Sequence, residues 1–287
     1  MIPPTHDLPR DPSDPATASR RAGRTFVRRL LPLAVVATLA APGALVAQSA
    51  FLLVDGPSPA AAQRSELRYD AAYGDRGFES LDGNGLQQRL WGRWWLGSRV
   101  ALAARAGTTL DGGARRFSEQ VEAQVRAAEL AGGSTPLMLS IGARREYDAG
   151  NVLLTRLAAA HVGTRSTLAA DVTLERPLEA GRDAVDLITS AGWSRTLGPA
   201  ASVALEVMGE DLEGFWEAEE AEGGATLFAG PSLALSPGAH RWSIVVGAGP
   251  VLRATRSPLD SGAPRELASS RYAGYVVRTS FRLNFGR

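Results

Sequence analysis

From about residue 65 onward, apolar and polar side chains alternate one by one in short segments. That is the period at which successive residues face opposite sides of a β-sheet. Leu67, Tyr69, Ala71 and Tyr73 alternate with Glu66, Arg68, Asp70 and Ala72. Leu168, Ala170, Val172 and Leu174 alternate with Thr167, Ala169, Asp171 and Thr173, and Tyr275, Val277, Thr279, Phe281, Leu283 and Phe285 with Val276, Arg278, Ser280, Arg282 and Asn284. Glycine (31) and proline (17) punctuate the 287-residue chain at short intervals. No apolar run after residue 80 approaches the ~20 residues a membrane helix needs. The fold class this dictates is all-β.

Continued along the chain, the pattern predicts strands near 65–74, 86–96, 99–107, 116–130, 136–146, 152–161, 165–175, 184–196, 201–208, 225–235, 241–254 and 271–285. The fourth also fits a helix face through Phe117, Val121, Val125 and Ala128, and only its context favours a strand. Short connections at Gly97-Ser98, Ala131 to Thr135, Val162 to Thr164, Leu197 to Ala200 and Ser236 to His240 alternate with longer ones. The longer set is Asp75 to Gly85, Thr108 to Arg115, Arg176 to Asp183, Gly209 to Gly224 and Thr255 to Ser270; Tyr147 to Asn151 is its short exception. A soluble sandwich has no reason to alternate in this way. A transmembrane antiparallel up-and-down β-barrel of about 12 strands does, with periplasmic termini, short periplasmic turns and long outer loops. Closure is required because in lipid every backbone N–H and C=O must be paired. Trp91, Trp94, Trp95, Trp193 and Trp242 fall in or beside strands and suit interfacial girdles.

Residues 1–47 read as a secretory signal peptide with a long n-region. Arg20, Arg21, Arg24, Arg28 and Arg29 precede the apolar stretch from Leu30 to Ala41, and Pro42 and Gly43 break it. Cleavage is expected after Ala47, with Ala62 a rival in a cleaner small-residue context but too far from the apolar core. Residues 48–64 are then a periplasmic N-terminal segment and 65–287 the barrel. Losing the leader removes six Arg and three Asp and takes the net charge from +1 to −2, so nothing favours a nucleic-acid partner. Every basic residue is Arg, whose charge does not switch near neutral pH. The absence of cysteine excludes disulfides and thiolate metal sites.

Turning the apolar faces to lipid directs Glu66, Arg68, Asp70, Arg89, Arg93, Glu122, Arg126, Asp171, Glu175, Glu206, Arg278 and Arg282 into the lumen. The opposite facing costs ~2–4 kcal/mol for each Arg at the midplane. A lumen of mixed sign suits either a narrow polar channel or a closed set of salt bridges. The block Glu210, Asp211, Glu213, Glu217, Glu219, Glu220 and Glu222 is expected in a long outer loop, solvated or gathering cations; it lacks the spacing of a calcium loop. Gly83-Asn84-Gly85 reads as a loop, and Gly247-Ala248-Gly249-Pro250 as a bend or bulge within a strand. His161 and His240 have no acid or nucleophile nearby in sequence, so no enzyme activity, metal or cofactor is expected.

The run Phe281-Arg282-Leu283-Asn284-Phe285 resembles the C-terminal assembly signal of outer-membrane β-barrel proteins, in which alternating apolar residues close on a terminal aromatic. Gly286 and Arg287 after the last Phe depart from it. The resemblance implies an outer-membrane location, contact with lipid and glycolipid, and recognition by the barrel-assembly machinery through Phe281, Leu283 and Phe285. A passive or weakly selective, porin-like channel for small solutes is the leading functional expectation. The alternative is a non-conducting structural or surface-binding barrel acting through its outer loops.

Overall fold

The computed structural model of the chain describes residues 50–57, 65–75, 85–111, 113–130, 134–146, 150–178, 185–212, 225–236, 241–254 and 272–285. The expected leader (1–47), His240, the acidic residues Glu213 to Glu222 and the loop residues Gly83-Asn84 lie outside the described residues. The strands are β1 (Ser65–Gly74), β2 (Gly85–Trp95), β3 (Val100–Asp111), β4 (Ala114–Leu130), β5 (Thr135–Glu146), β6 (Gly150–Val162), β7 (Ser166–Pro177), β8 (Asp186–Gly198), β9 (Ala201–Glu210), β10 (Ala225–Leu235), β11 (Trp242–Ala254) and β12 (Tyr272–Phe285).

Each strand pairs antiparallel with its sequence neighbours, and β1 pairs with β12, so the sheet closes on itself. Ser65 lies opposite Phe285 and Gly74 opposite Val276. An even number of strands makes this seam antiparallel and brings the start of β1 and the end of β12 to one end of the barrel. The strand ends at Trp95 and Val100, Leu130 and Thr135, Val162 and Ser166, Gly198 and Ala201, and Leu235 and Trp242 lie at that same end, here called the short-turn end. Past Gly74 the seam is extended by Asp75, whose N–H donates to Tyr275 O (2.9 Å) and whose carboxylate accepts from Tyr275 N–H (2.9 Å). Closure leaves no strand edge unpaired, the condition for spanning lipid.

The alternation of faces follows the residue pattern. Val121 is 61% exposed on the outside while its neighbour Gln120 is 4% exposed on the inside. Tyr69, Leu90, Ile141, Leu157, Leu168, Leu205 and Phe281 continue the exposed apolar outer surface. A continuous apolar surface of this extent is not left to water. β4 is a strand of 17 residues, as the context of its neighbours required.

Three local expectations are corrected. The connection expected to be long from Thr108 to Arg115 is shorter, because pairing runs on through it: Thr108 lies opposite Phe117, Leu110 opposite Arg115 and Asp111 opposite Ala114. Strand pairing runs on beyond the point where apolar alternation stops. Gly113 takes φ 96 there, a conformation open to glycine at little cost. Secondly, Gly247 to Pro250 carry no bulge toward β12, holding register from Gly247 opposite Arg278 to Pro250 opposite Tyr275, while the ladder to β10 lapses between the pairs Phe228–Val251 and Ser232–Gly247. Register shifts occur instead between Arg126 and Ala128 and between Thr196 and Gly198. Thirdly, Trp91 belongs to no girdle. It is 1% exposed on the inner face, with the guanidiniums of Arg68 and Arg93 over its ring at 4.8 and 4.6 Å. The alternation of β2 puts odd positions inward, and Trp91 shares that parity with Arg89 and Arg93. Trp94 and Trp193 do face outward.

Candidate functional site: the lumen

Residues 50–57, within the stretch expected to be a periplasmic segment (48–64), lie inside the barrel. Ala50, Phe51, Leu52 and Val54 form one buried cluster with the inward-facing Ala160, Ala169, Ala204, Ala234 and Val245, all in the parts of their strands nearer the short-turn end. Gly192 and Gly247 make room for it. A Cβ at Gly192 would come within 2.6 Å of Phe51 Cε1, and one at Gly247 within 2.7 Å of Leu52 Cδ1. A Cβ at Gly249 would meet the backbone of β10 first, at Ala229 O and Gly230 Cα, and then the ring of Phe228, which Arg278 covers at 4.2 Å. Close approach of β10 backbone and of inward side chains together require the glycines in β11.

Polar anchors hold the backbone of the segment. Leu52 N–H donates to both carboxylate oxygens of Glu206 (2.9 Å each), and Leu53 and Val54 N–H donate to Oε2 (2.7 and 3.3 Å). Three successive N–H groups converging on one carboxylate make a concave anion cradle, here filled by a wall side chain. Ser232 Oγ donates to Ala50 O (2.8 Å), and Arg282 donates to Phe51 O.

Asp55 then meets the positive part of the wall. Its Oδ1 accepts from Arg93 at 2.6 Å and its Oδ2 from Arg156 at 3.0 Å, while its N–H donates to Asp171 (3.1 Å). Burial alone would raise the Asp55 carboxyl; Arg93 and Arg156, with Arg68 and Arg105 behind them, outweigh it and hold the group well below the ordinary carboxylate range. A cavity of ≈ 60 Å³ remains beside Leu53 and Asp55, bordered by Arg68, Arg89, Arg144, Arg156 and Glu175. It admits water but no solute of saccharide size.

The rest of the wall pairs with itself. Arg68 and Arg89 both bind Asp70 (3.0 and 3.1 Å). Arg144 takes Glu146 at 2.6 Å and Glu175 through two nitrogens at 2.7 and 2.5 Å. Arg156 reaches Glu122 at 3.3 Å, and Ser190 donates to Asp171 at 2.6 Å. Arg126 binds Glu129 at 2.7 Å and lies over Trp95 at 5.6 Å. Arg282 approaches Glu66 at 3.9 Å.

Eleven of the twelve lumen candidates are therefore buried on the inner face, and Glu66 is half-buried there. The structure gathers Arg93 and Glu206 at residues 50–57 together with Asp171 and Arg282, and joins Arg68, Asp70 and Arg89 in one cluster. It sets Glu175 on Arg144, Arg126 on Glu129 and Arg278 over Phe228, while Glu122 and Glu66 reach the segment through Arg156 and Arg282. Sequence reasoning missed Arg105, Gln120, Gln124, Arg144, Glu146 and Arg156, although each shares the inward parity of its strand. Of the acidic block, Glu210 is a buried strand residue and Asp211 turns out of β9 at φ 44, its carboxylate accepting from Leu187 N–H (3.3 Å). His161 is on the outer face, its Nδ1 hydrogen-bonded to Thr135 Oγ1 at 2.9 Å.

No protein-family model matches the chain, and no curated protein sequence matches it significantly. Solved structures do resemble it. A KdgM porin in complex with disordered oligogalacturonate is similar at a TM-score of 0.53 and 10% identity, covering 77% of this chain and 99% of that one. A KdgM porin structure scores 0.50 at 10% identity, with 75% and 98% covered. A NanC porin structure scores 0.50 at 9% identity, also with 75% and 98% covered. The fold of this chain is that of outer-membrane porin barrels.

Proposed function

We propose that the protein is an outer-membrane channel for small solutes with little charge preference. The observation that carries this reading is the pairing of an apolar outer face with an inner face on which the strands bury as many arginines as carboxylates, eight of each among the described residues. A closed barrel with a charged interior encloses a polar path through lipid. Balanced charge gives neither anions nor cations a large advantage. The similarity to porins supports it, one of them a structure in complex with disordered oligogalacturonate. In this reading residues 1–47 export the chain, the short-turn end and both termini face the periplasm, and Phe281 and Phe285, exposed on the outer face, present the assembly signal.

The test is conductance of the refolded mature chain, and of a variant lacking residues 50–57, in planar bilayers. Discrete current steps of weak ion selectivity are expected. Silence from both, with heat-modifiable gel mobility intact, ends the channel reading.

The mutual pairing of wall side chains, most fully at Arg144, favours a second reading: a non-conducting barrel that works through its outer loops. Deleting residues 213–222, beyond the end of β9, then abolishes binding to cells or surface glycolipid while leaving heat-modifiability unchanged.

A further inference from the structure

We infer that the lumen contains a peptide-binding site whose resident ligand is the chain's own segment 50–57, and that this segment is a displaceable plug which shuts the channel. The inference rests on the channel reading above and adds to it the means by which the path is closed.

The wall is shaped for this occupant. Where Phe51 and Leu52 lie, the inner face offers Gly192 and Gly247, and a side chain at either would collide with the segment. Beyond the segment the inner face carries long side chains such as Arg89, Gln124 and Arg144 as well as small ones such as Ala103 and Gly142, the latter packed against Glu122 rather than against the segment. The recognition is also chemical. Glu206 reads three consecutive backbone N–H groups, which any extended or turning peptide offers, and Arg93 with Arg156 reads one acidic side chain. The site therefore takes a short apolar peptide followed by a carboxylate.

The segment is separable from the scaffold. The ladder of twelve strands closes without it. The anchors described for it run through wall side chains, and those side chains keep other partners when it leaves: Arg156 has Glu122, Arg93 has the face of Trp91, and Asp171 has Ser190. A core element gives up strand pairing when removed; this one does not. Its departure opens the space between Asp55 and the short-turn end that it now fills.

A reversible lock tests this. The chain has no cysteine, so an introduced pair is unambiguous. A Cβ built at Gly56 lies 3.6 Å from Ala160 Cβ, close to the disulfide mean of about 3.8 Å, and Gly56 has no positive φ to forbid the exchange. Gly56→Cys/Ala160→Cys in the full mature chain is expected to form an intramolecular disulfide. Open probability in planar bilayers should fall at least tenfold on oxidation and recover on reduction. The variant lacking residues 50–57 should stay open, at least tenfold above the wild type. Heat-modifiable mobility is checked for each, so that a misfolded barrel is not scored.

Failure to form the disulfide, or equal current in the oxidised, reduced and deleted forms, overturns the plug while leaving the channel reading standing. Silence of both the reduced and the deleted forms removes the channel reading, and the plug falls with it.

Discussion

The decisive perturbation of the plug is Asp55→Asn, which keeps the shape of the side chain and removes its charge. Asp55 is 13% exposed and is gripped at 2.6 and 3.0 Å by guanidiniums that are 4% and 11% exposed. Removing one partner from a buried ion pair typically costs about 3–5 kcal/mol, most of it for the charge left behind. Here the cost is smaller. Arg156 retains Glu122 at 3.3 Å and Arg93 retains Trp91 at 4.6 Å, so neither cation is stranded. Asn also keeps one acceptor oxygen. A loss of about 2–3 kcal/mol in docking follows, and at 1.4 kcal/mol per factor of ten that is a rise of about 30- to 150-fold in the open-to-closed ratio. Single-channel dwell times in planar bilayers measure it directly, with the change confined to the closed times and the open conductance unaltered. Closed times equal to those of the wild type refute the role given to Asp55.

Acid should open the same gate: the docked Asp55 carboxyl titrates below its ordinary range, so its contribution is complete above about pH 4 and lost as pH falls below that, and Asp55→Asn should abolish this part of the pH dependence. Gly192→Val, whose Cβ would lie 2.6 Å from Phe51, should expel the segment and raise open probability without loss of heat-modifiable mobility. Arg144→Ala removes the two-nitrogen partner of the buried Glu175 carboxylate and one partner of Glu146, and should cost about 3–5 kcal/mol in urea unfolding, partly recovered by adding Glu175→Gln. Val121→Arg puts a cation on the outer face and should lower stability in lipid by ~2–4 kcal/mol; unchanged refolding into vesicles would contradict the assigned facing.

The strands and their facing are legible in the sequence because lipid imposes one rule on every residue of the outer face. Tyr69, Leu168 and Phe281 are apolar for the same reason, and the neighbours of each point inward. Legibility fails where the inner face is itself partly apolar. Met138 shares the inner wall of β5 with Arg144, and Val152 and Leu154 share that of β6 with Arg156, so both faces look hydrophobic and the charged residues lose their contrast. It also fails at chain ends with no periodicity. Phe51 to Val54 carry no repeat, and their place is fixed by partners as remote as Glu206, 154 residues from Leu52. The wall under them is small and inward-facing at Ala160, Ala169, Gly192, Ala204, Ala234 and Gly247, yet small inward residues also sit under other wall side chains, as Gly142 does under Glu122, so composition alone does not single out the seat.

Charge balance extends that argument from the wall as a whole to its parts. Among the described residues the strands bury equal numbers of arginines and carboxylates, yet the surface beneath residues 50–57 is uneven. It is negative at Glu206, where the segment presents N–H groups, and positive at Arg93 and Arg156, where it presents Asp55. A wall evolved only for passive solutes has no reason to match, over a few residues, the polarity of one stretch of its own chain in both signs. The match in both signs, together with glycines placed under Phe51 and Leu52, makes its position in the lumen a specified one.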